Sequence, residues 1–276
     1  MLAEPETIVR VLTTCSLAGL LLAAGLRLHW SEIVAALARC RVAWIVLANF
    51  LLVPVLAVAI ARAVPLSPER SAGMLLLAAA PFAPVVPVFA RLARADLALA
   101  VGLTSLFPVL SAAMTPAVLL LALPWSIGAE SFQFRAGVIL AVLFTTITLP
   151  LAAGVALNHV WPGLRARLLR PLDIIAEATG AASLLFIVGV EFQNIVATPW
   201  PSLVAMIVFI EASFLLGYAS GGAVPARRMV VALGTGNRNI ALALLVALDS
   251  FAGTGIPGVV VTIGLLLILS GLLHVG

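Results

Sequence analysis

Lysine is absent from this chain, acidic residues number only 11 in 276, and charged residues of every kind make up 9%. So little polar surface cannot cover a soluble globule, which excludes a water-soluble enzyme or binding domain. The two cysteines, Cys15 and Cys40, have no CxxC or metal-ligand spacing, and they read as small packed residues. No HExxH, GxSxG or deep aspartate pair occurs, so the chain is not expected to be an enzyme or to need a metal or cofactor. His29, His159 and His274 flank loops or termini. The basic residues are all arginine, 15 of them, giving a net charge of +4. They are scattered among apolar runs with no interleaved aromatic patch, so nucleic acid is not an expected partner.

What is present is apolar: 63% of the residues are hydrophobic and the mean hydropathy is +1.24. A run of about 20 apolar residues crosses the hydrocarbon core of a bilayer. Nine such runs are read, at 7–27, 42–63, 70–92, 96–123, 134–158, 172–193, 200–220, 227–249 and 254–274. The first continues to Arg27 without a small-residue cleavage pattern and is expected to be a transmembrane helix, not a signal peptide. The connections are short, so residues 1–276 are expected to form one all-α transmembrane domain in contact with the lipid bilayer. Trp30, Trp44, Trp125, Trp161 and Trp200 fall near run ends, where indole rings favour the headgroup region.

Arginines on alternate loops set the expected orientation. One side has Arg27, Arg39, Arg41, Arg91, Arg94, Arg165, Arg167, Arg170, Arg227 and Arg228; the other has Arg10, Arg62, Arg70 and Arg135. The richer side is read as cytoplasmic, with the N-terminus outside, the C-terminus inside and the protein in the inner (plasma) membrane.

Two runs are interrupted at their centres, by Pro81-Phe82-Ala83-Pro84-Val85-Val86-Pro87 and by Gly234-Thr235-Gly236-Asn237-Arg238-Asn239. Irregular backbone at membrane depth survives only where it is packed in protein or lines a cavity, and paired breaks point to a transporter's substrate site. The breaks lie five spans apart, which implies an inverted repeat of five-helix units with the first helix missing.

Several residue strings resemble the bile acid:sodium symporter family. Gly25-Leu26-Arg27-Leu28 with Ser31-Glu32-Ile33 resembles its "GLxL…DF" helix end, and Asn49-Phe50 with Pro54 resembles its "QF…P" helix. Pro81 to Asp96 is similar to the first crossing segment, Leu99 to Pro116 to the helix that follows, and Gly234 to Leu242 to the "EVGxQNxxLA" break. Leu149-Pro150 with Gly154, and Leu215-Leu216-Gly217-Tyr218, fit later helices. The resemblance implies a panel (about 7–30 and 131–195) moving against a core (about 42–123 and 200–275) by alternating access, with a small organic anion as substrate. It also implies two sodium ions held by oxygens at the breaks. Here Val86 and Pro87 stand at a Ser-Asn pair, Ala100 at a serine, Gly234 at the key carboxylate and Arg238 at a glutamine. Only Asn49, Thr104 and Asn239 keep polar groups at matching positions, so coupling to sodium in the family's usual way is not expected.

Arg238 lies mid-span, where a charge must be paired or wet. Either its guanidinium stands in for the ions and grips a carboxylate, or it ties carbonyls freed by the break. Asn237 and Asn239 either cap freed backbone or touch substrate. Pro84 and Pro87, with Pro81, forbid a continuous helix and help frame the site. Thr104, Ser105 and Ser111 either line the same cavity or bond back to their own helix. Glu211, the other deep charge, is a candidate for proton coupling or one end of a static bridge, with Arg238 as the candidate partner. Glu191 with Gln193 and Asn194, and Asp173, Glu177 and Asp249, read as interface residues. A sensor or assembly protein keeping the fold is the alternative to a transporter. The sequence names no oligomeric state.

Overall fold

A computed structural model describes residues 5–27, 34, 38, 40–127 and 136–275. Expectations resting on residues 28–33, which include His29 and Trp30, and on Arg39 and Arg135 lie outside it. The described chain is all-helical, and eight stretches are long and apolar enough to cross a membrane. These are α1 (Pro5–Arg27), α2 (Val42–Ala63), α5 (Leu97–Ile127), α6 (Ala136–Leu143 and Leu149–Val160 joined by a π turn), α7 (Pro162–Val190), α9 (Trp200–Ser220), the broken pair α10 (Pro225–Gly236) and α11 (Ile240–Ser250), and α12 (Ile256–Val275). The expected run at 70–92 folds as two short helices, α3 (Pro68–Ala78) and α4 (Val86–Leu92), neither long enough alone. The five-residue helix α8 (Phe192–Val196) links α7 to α9.

Helix starts follow local chemistry. Pro68 opens α3 behind Ser67, whose hydroxyl accepts from the Arg70 amide at 3.4 Å. The Leu99 amide in the first turn of α5 donates to the Asp96 carboxylate at 3.0 Å. Both π turns, Ala48–Leu52 in α2 and Phe144–Thr148 in α6, end two residues before a proline, Pro54 and Pro150. A proline amide cannot close the next turn, so the ladder slips by one residue at each.

Packing divides the helices. α1 lies chiefly against α6 and α7, with Gly25 and Gly154 at the first contact, where a Cβ on either would be 2.9 Å from the other's Cα. Thr13 and Ser183 share a hydrogen bond at 2.5 Å across α1 and α7, and Arg27 pairs with Asp173. α10 is covered by α9, while α12 packs on α3, α11 and α9. α1 also meets α11, where Arg10 bonds Asp249 at 3.0 Å and the Leu248 carbonyl. The buried core runs through Leu75, Phe209, Leu245 and Val260. Outward-facing Leu121, Leu185, Leu215 and Leu273 are more than half exposed, as a lipid-facing surface requires. Trp44, Trp125, Trp161 and Trp200 are exposed near helix ends.

Candidate ion and substrate site

The two breaks cross and pair. The Ala83 amide donates to the Asn237 carbonyl at 3.0 Å, and the Asn239 amide donates to the Ala80 carbonyl at 2.7 Å. Two irregular segments at membrane depth thus satisfy each other's backbone, as a lipid environment demands.

Three carbonyls at the end of α3 lose their helical donors, because Phe82 takes the left-handed conformation (φ 55°), the Ala83 amide turns to Asn237 and residue 84 is a proline without an N–H. Each finds a replacement. Ala78 accepts from Arg238 Nη2 at 2.7 Å, Ala79 from the Thr115 hydroxyl at 2.7 Å, and Ala80 from the Asn239 amide. A fourth carbonyl is freed in α2. The Val53 amide reaches back to Ala48 in the π turn, and residue 54 is proline, so the Asn49 carbonyl has no donor from its own helix. Arg238 Nη2 takes it at 3.3 Å, and Nη1 donates to Asn49 Oδ1 at 2.8 Å. Asn49 Nδ2 in turn donates to the Ile45 carbonyl and to Thr235 Oγ1 at 3.0 Å. Arg238 is 1% exposed, and its Nε has no hydrogen-bonding partner among the described residues. The guanidinium therefore sits among the oxygens of a half-helix end and a π turn, the kind of oxygen set that binds a monovalent cation in broken-helix transporters.

The space beside Gly234 is filled. The Phe82 ring lies against Gly234, where any Cβ would overlap it, and stacks on Phe107 with centroids 3.9 Å apart; Phe107 stacks in turn on Phe50 at 5.8 Å. The apolar residues Val86 and Ala100, read from the sequence as replacements for oxygen ligands, are buried in the same cluster.

The other expected site residues divide. Asn239 caps α11, its Oδ1 accepting from the Leu242 amide at 3.1 Å, and Asn237 Nδ2 donates to the Leu233 carbonyl at 3.0 Å. Pro84 and Pro87 are half-buried where the chain leaves the crossing and enters α4. The buried Thr104 hydroxyl has no hydrogen-bonding partner among the described residues, and Ser105 bonds back to Val101. Glu211 does not meet Arg238; it pairs with His274 at 3.2 Å and accepts from the Ser270 hydroxyl at 2.7 Å. The expectation of an Arg238–Glu211 pair is thereby corrected: Arg238 points to α2 and α3, whereas Glu211 faces α12. Thr115, Thr235 and His274 are neighbours that sequence reading missed. A hydroxyl inside the second break was the one available signal, for Thr235.

Between α1, α7 and α11 lies a cavity of about 140 Å³, lined by Thr13, Ser16, Gly180, Ser183, Ile240 and Leu244 among others. Hydroxyls of α1 and α7 face the first turn of α11, the half-helix that starts at the second break. A helix start carries partial positive charge, so this cavity combines an anion-favouring end with polar and apolar walls.

Comparison with known proteins places residues 14–198 within the profile described as Sodium Bile acid symporter family. The matched stretch runs from α1 through the first break to the end of α8, and the second break lies beyond it. A search of curated proteins found no match.

Proposed function

Because the chain belongs to the sodium bile acid symporter family, and is a multi-pass membrane protein, we propose that it is a secondary transporter of organic anions that works without sodium in the family's usual role. The observation that carries this reading is the guanidinium of Arg238, bonded to the oxygens of Ala78 and Asn49 at the crossing. It supplies at the breaks a permanent positive charge where the relatives hold mobile ions, while Phe82 and Val86 fill neighbouring space with hydrocarbon. Asn49, Asn237 and Asn239 hold the crossing in shape, Pro84 and Pro87 keep the first break open, and Thr104 stands beside it on α5. The anion occupies the cavity between α1, α7 and the start of α11, within the field of Arg238. A panel of residues 7–30 and 131–195 moves against a core of 42–123 and 200–275, related internally by an inverted repeat, in the plasma membrane with the N-terminus outside. Transport, not catalysis, is the activity.

The test is uptake into proteoliposomes holding the full chain, with radiolabelled bile acids, keto acids and sulfonates presented one at a time. Initial rates in sodium and in choline buffer are expected to agree within twofold. A steep, sigmoidal sodium dependence would show that other oxygens have been recruited as ligands. Binding of these anions without uptake would favour a sensor that keeps the fold.

A further inference from the structure

Glu211 lies deep in α9, and the groups around it are arranged for proton exchange. His274 Nδ1 is 2.8 Å from the Ser270 carbonyl, an acceptor with no proton of its own, so Nδ1 carries the hydrogen. His274 Nε2 faces Glu211 Oε2 at 3.2 Å, and the Ser270 hydroxyl donates to Oε1 at 2.7 Å. With no proton between them the pair is a carboxylate beside a neutral imidazole; with one it is an imidazolium carboxylate or its neutral tautomer; a second proton makes it cationic. The Glu211 and His274 side chains are 41% and 26% exposed, so the pair lies at the edge of the packed core and is not sealed within it.

The pair is also in mechanical contact with the second break. Phe214 stacks on the His274 ring with centroids 3.8 Å apart, and it backs onto Gly236, where a Cβ would lie 3.2 Å from Phe214 Cδ2. Gly271, next to Ser270, packs against the Asn237 amide, with a Cβ placed 2.8 Å from Oδ1. One packed layer separates the acid and base from the residues that pair the two breaks.

The other charged groups on neighbouring elements are engaged or lie elsewhere. On α10, Arg228 bonds the Tyr218 carbonyl and stacks on its ring, and Arg227 pairs with Asp96. Arg238 is held by Asn49 and Ala78, and Arg62 of α2 bonds the Trp125 carbonyl. Asp249 of α11 pairs with Arg10, Arg27 with Asp173 of α7, and Glu191 with Asn194. Arg165, Arg167 and Arg170 lie in the first half of α7 and Glu177 just past its middle, Glu69 and Arg70 in the first turn of α3, and Arg91 on an exposed face of α4.

We propose that Glu211 and His274, with Ser270, form one proton-binding site whose occupancy sets the geometry of the second break and thereby the cavity at the start of α11. The link to the cavity rests on the transporter reading above; the binding of protons does not.

The experiment follows the break without any substrate. In full-length protein lacking Cys15 and Cys40, Ala241→Cys places a thiol in the cavity wall, and its modification by a small methanethiosulfonate reagent is followed from pH 5.5 to 8, after correction for the reagent's own pH dependence on a free thiol. The expected result is a change of at least threefold across that range, abolished by Glu211→Gln and equally by His274→Gln, and retained in Asp249→Asn. Should Ala241→Cys not react, Ser16→Cys reports on the opposite wall; should neither react, the midpoint of thermal unfolding is read over the same pH range, with the same variant pattern expected. A profile that survives both Glu211→Gln and His274→Gln, or that is flat in the parent protein, overturns the proposal. Sodium-dependent uptake with this profile intact would instead count against the sodium-free reading alone.

Discussion

Arg238→Ala is expected to lower stability on the order of 4 kcal/mol, read as a large drop in the midpoint of thermal unfolding of the purified protein. Truncation removes three hydrogen bonds and leaves the Ala78 carbonyl, the Asn49 carbonyl and Asn49 Oδ1 without donors at membrane depth. Each buried acceptor left unpaired costs about 1–3 kcal/mol. Neither carbonyl can return to its own helix, because Phe82 has left the helical conformation and Pro54 has no N–H, and Asn49 Oδ1 has no helical donor to return to. Arg238→Lys keeps the charge but replaces a planar fork with a single point, so an intermediate loss is expected. Guanidinium at low millimolar concentration should restore much of the stability of the alanine variant, and choline should not. Wild-type stability in Arg238→Ala would mean that water or lipid already serves those oxygens.

Gly234→Glu carries the second large effect. The resemblance of Gly234 to Leu242 to the family's second break implies a carboxylate at this position, so the substitution tests whether one residue creates a sodium site. It is expected to fail, with a loss of roughly 3 kcal/mol or more from overpacking and no gain of sodium dependence in uptake. The Phe82 ring occupies the volume, and Phe107 and Phe50 behind it leave it nowhere to go. Phe82→Ala should relieve the clash, so the double variant is expected to lose less than the sum of the two singles. A well-folded, sodium-dependent Gly234→Glu protein would show that Phe82 swings aside.

The sequence carried the spans and the breaks because both are matters of length and backbone chemistry: apolar runs long enough to cross, and prolines or glycines where a helix cannot continue. The residues that meet at the crossing were partly legible for the same reason, since Asn49, Arg238 and Asn239 are polar groups at depth. Rotation about each helix axis was not legible. α5, α9 and α12 are apolar nearly all round, so no stripe marks the face turned to a neighbour, and of the alternatives open for Glu211 the sequence named Arg238 as a partner but not His274, which it faces. Depth misled as well. His274 is close to the end of the chain yet sits beside Glu211, because α12 runs alongside α9 with its last turn level with that residue. The π turns became readable only with the fold known, when Pro54 and Pro150 were each seen two residues past an expanded turn. Phe82 gave no warning at all; an aromatic residue between two prolines does not announce which glycine, 152 positions away, it will lie against.

A positive charge that is covalently part of the protein returns with the empty carrier. In a sodium symporter the ions that accompany a monovalent anion more than cancel its charge, and the membrane potential helps to drive entry. On the reading proposed above, with Arg238 in place of those ions, an anion crossing alone carries one net negative charge. A potential of 100 mV, negative inside, then favours exit by about 2.3 kcal/mol, roughly a fiftyfold gradient. On the proposed reading, the residue that stands in for sodium also reverses the sign of the electrical bias, and such a carrier is suited to expelling anions. One proton travelling with each anion makes the cycle electroneutral.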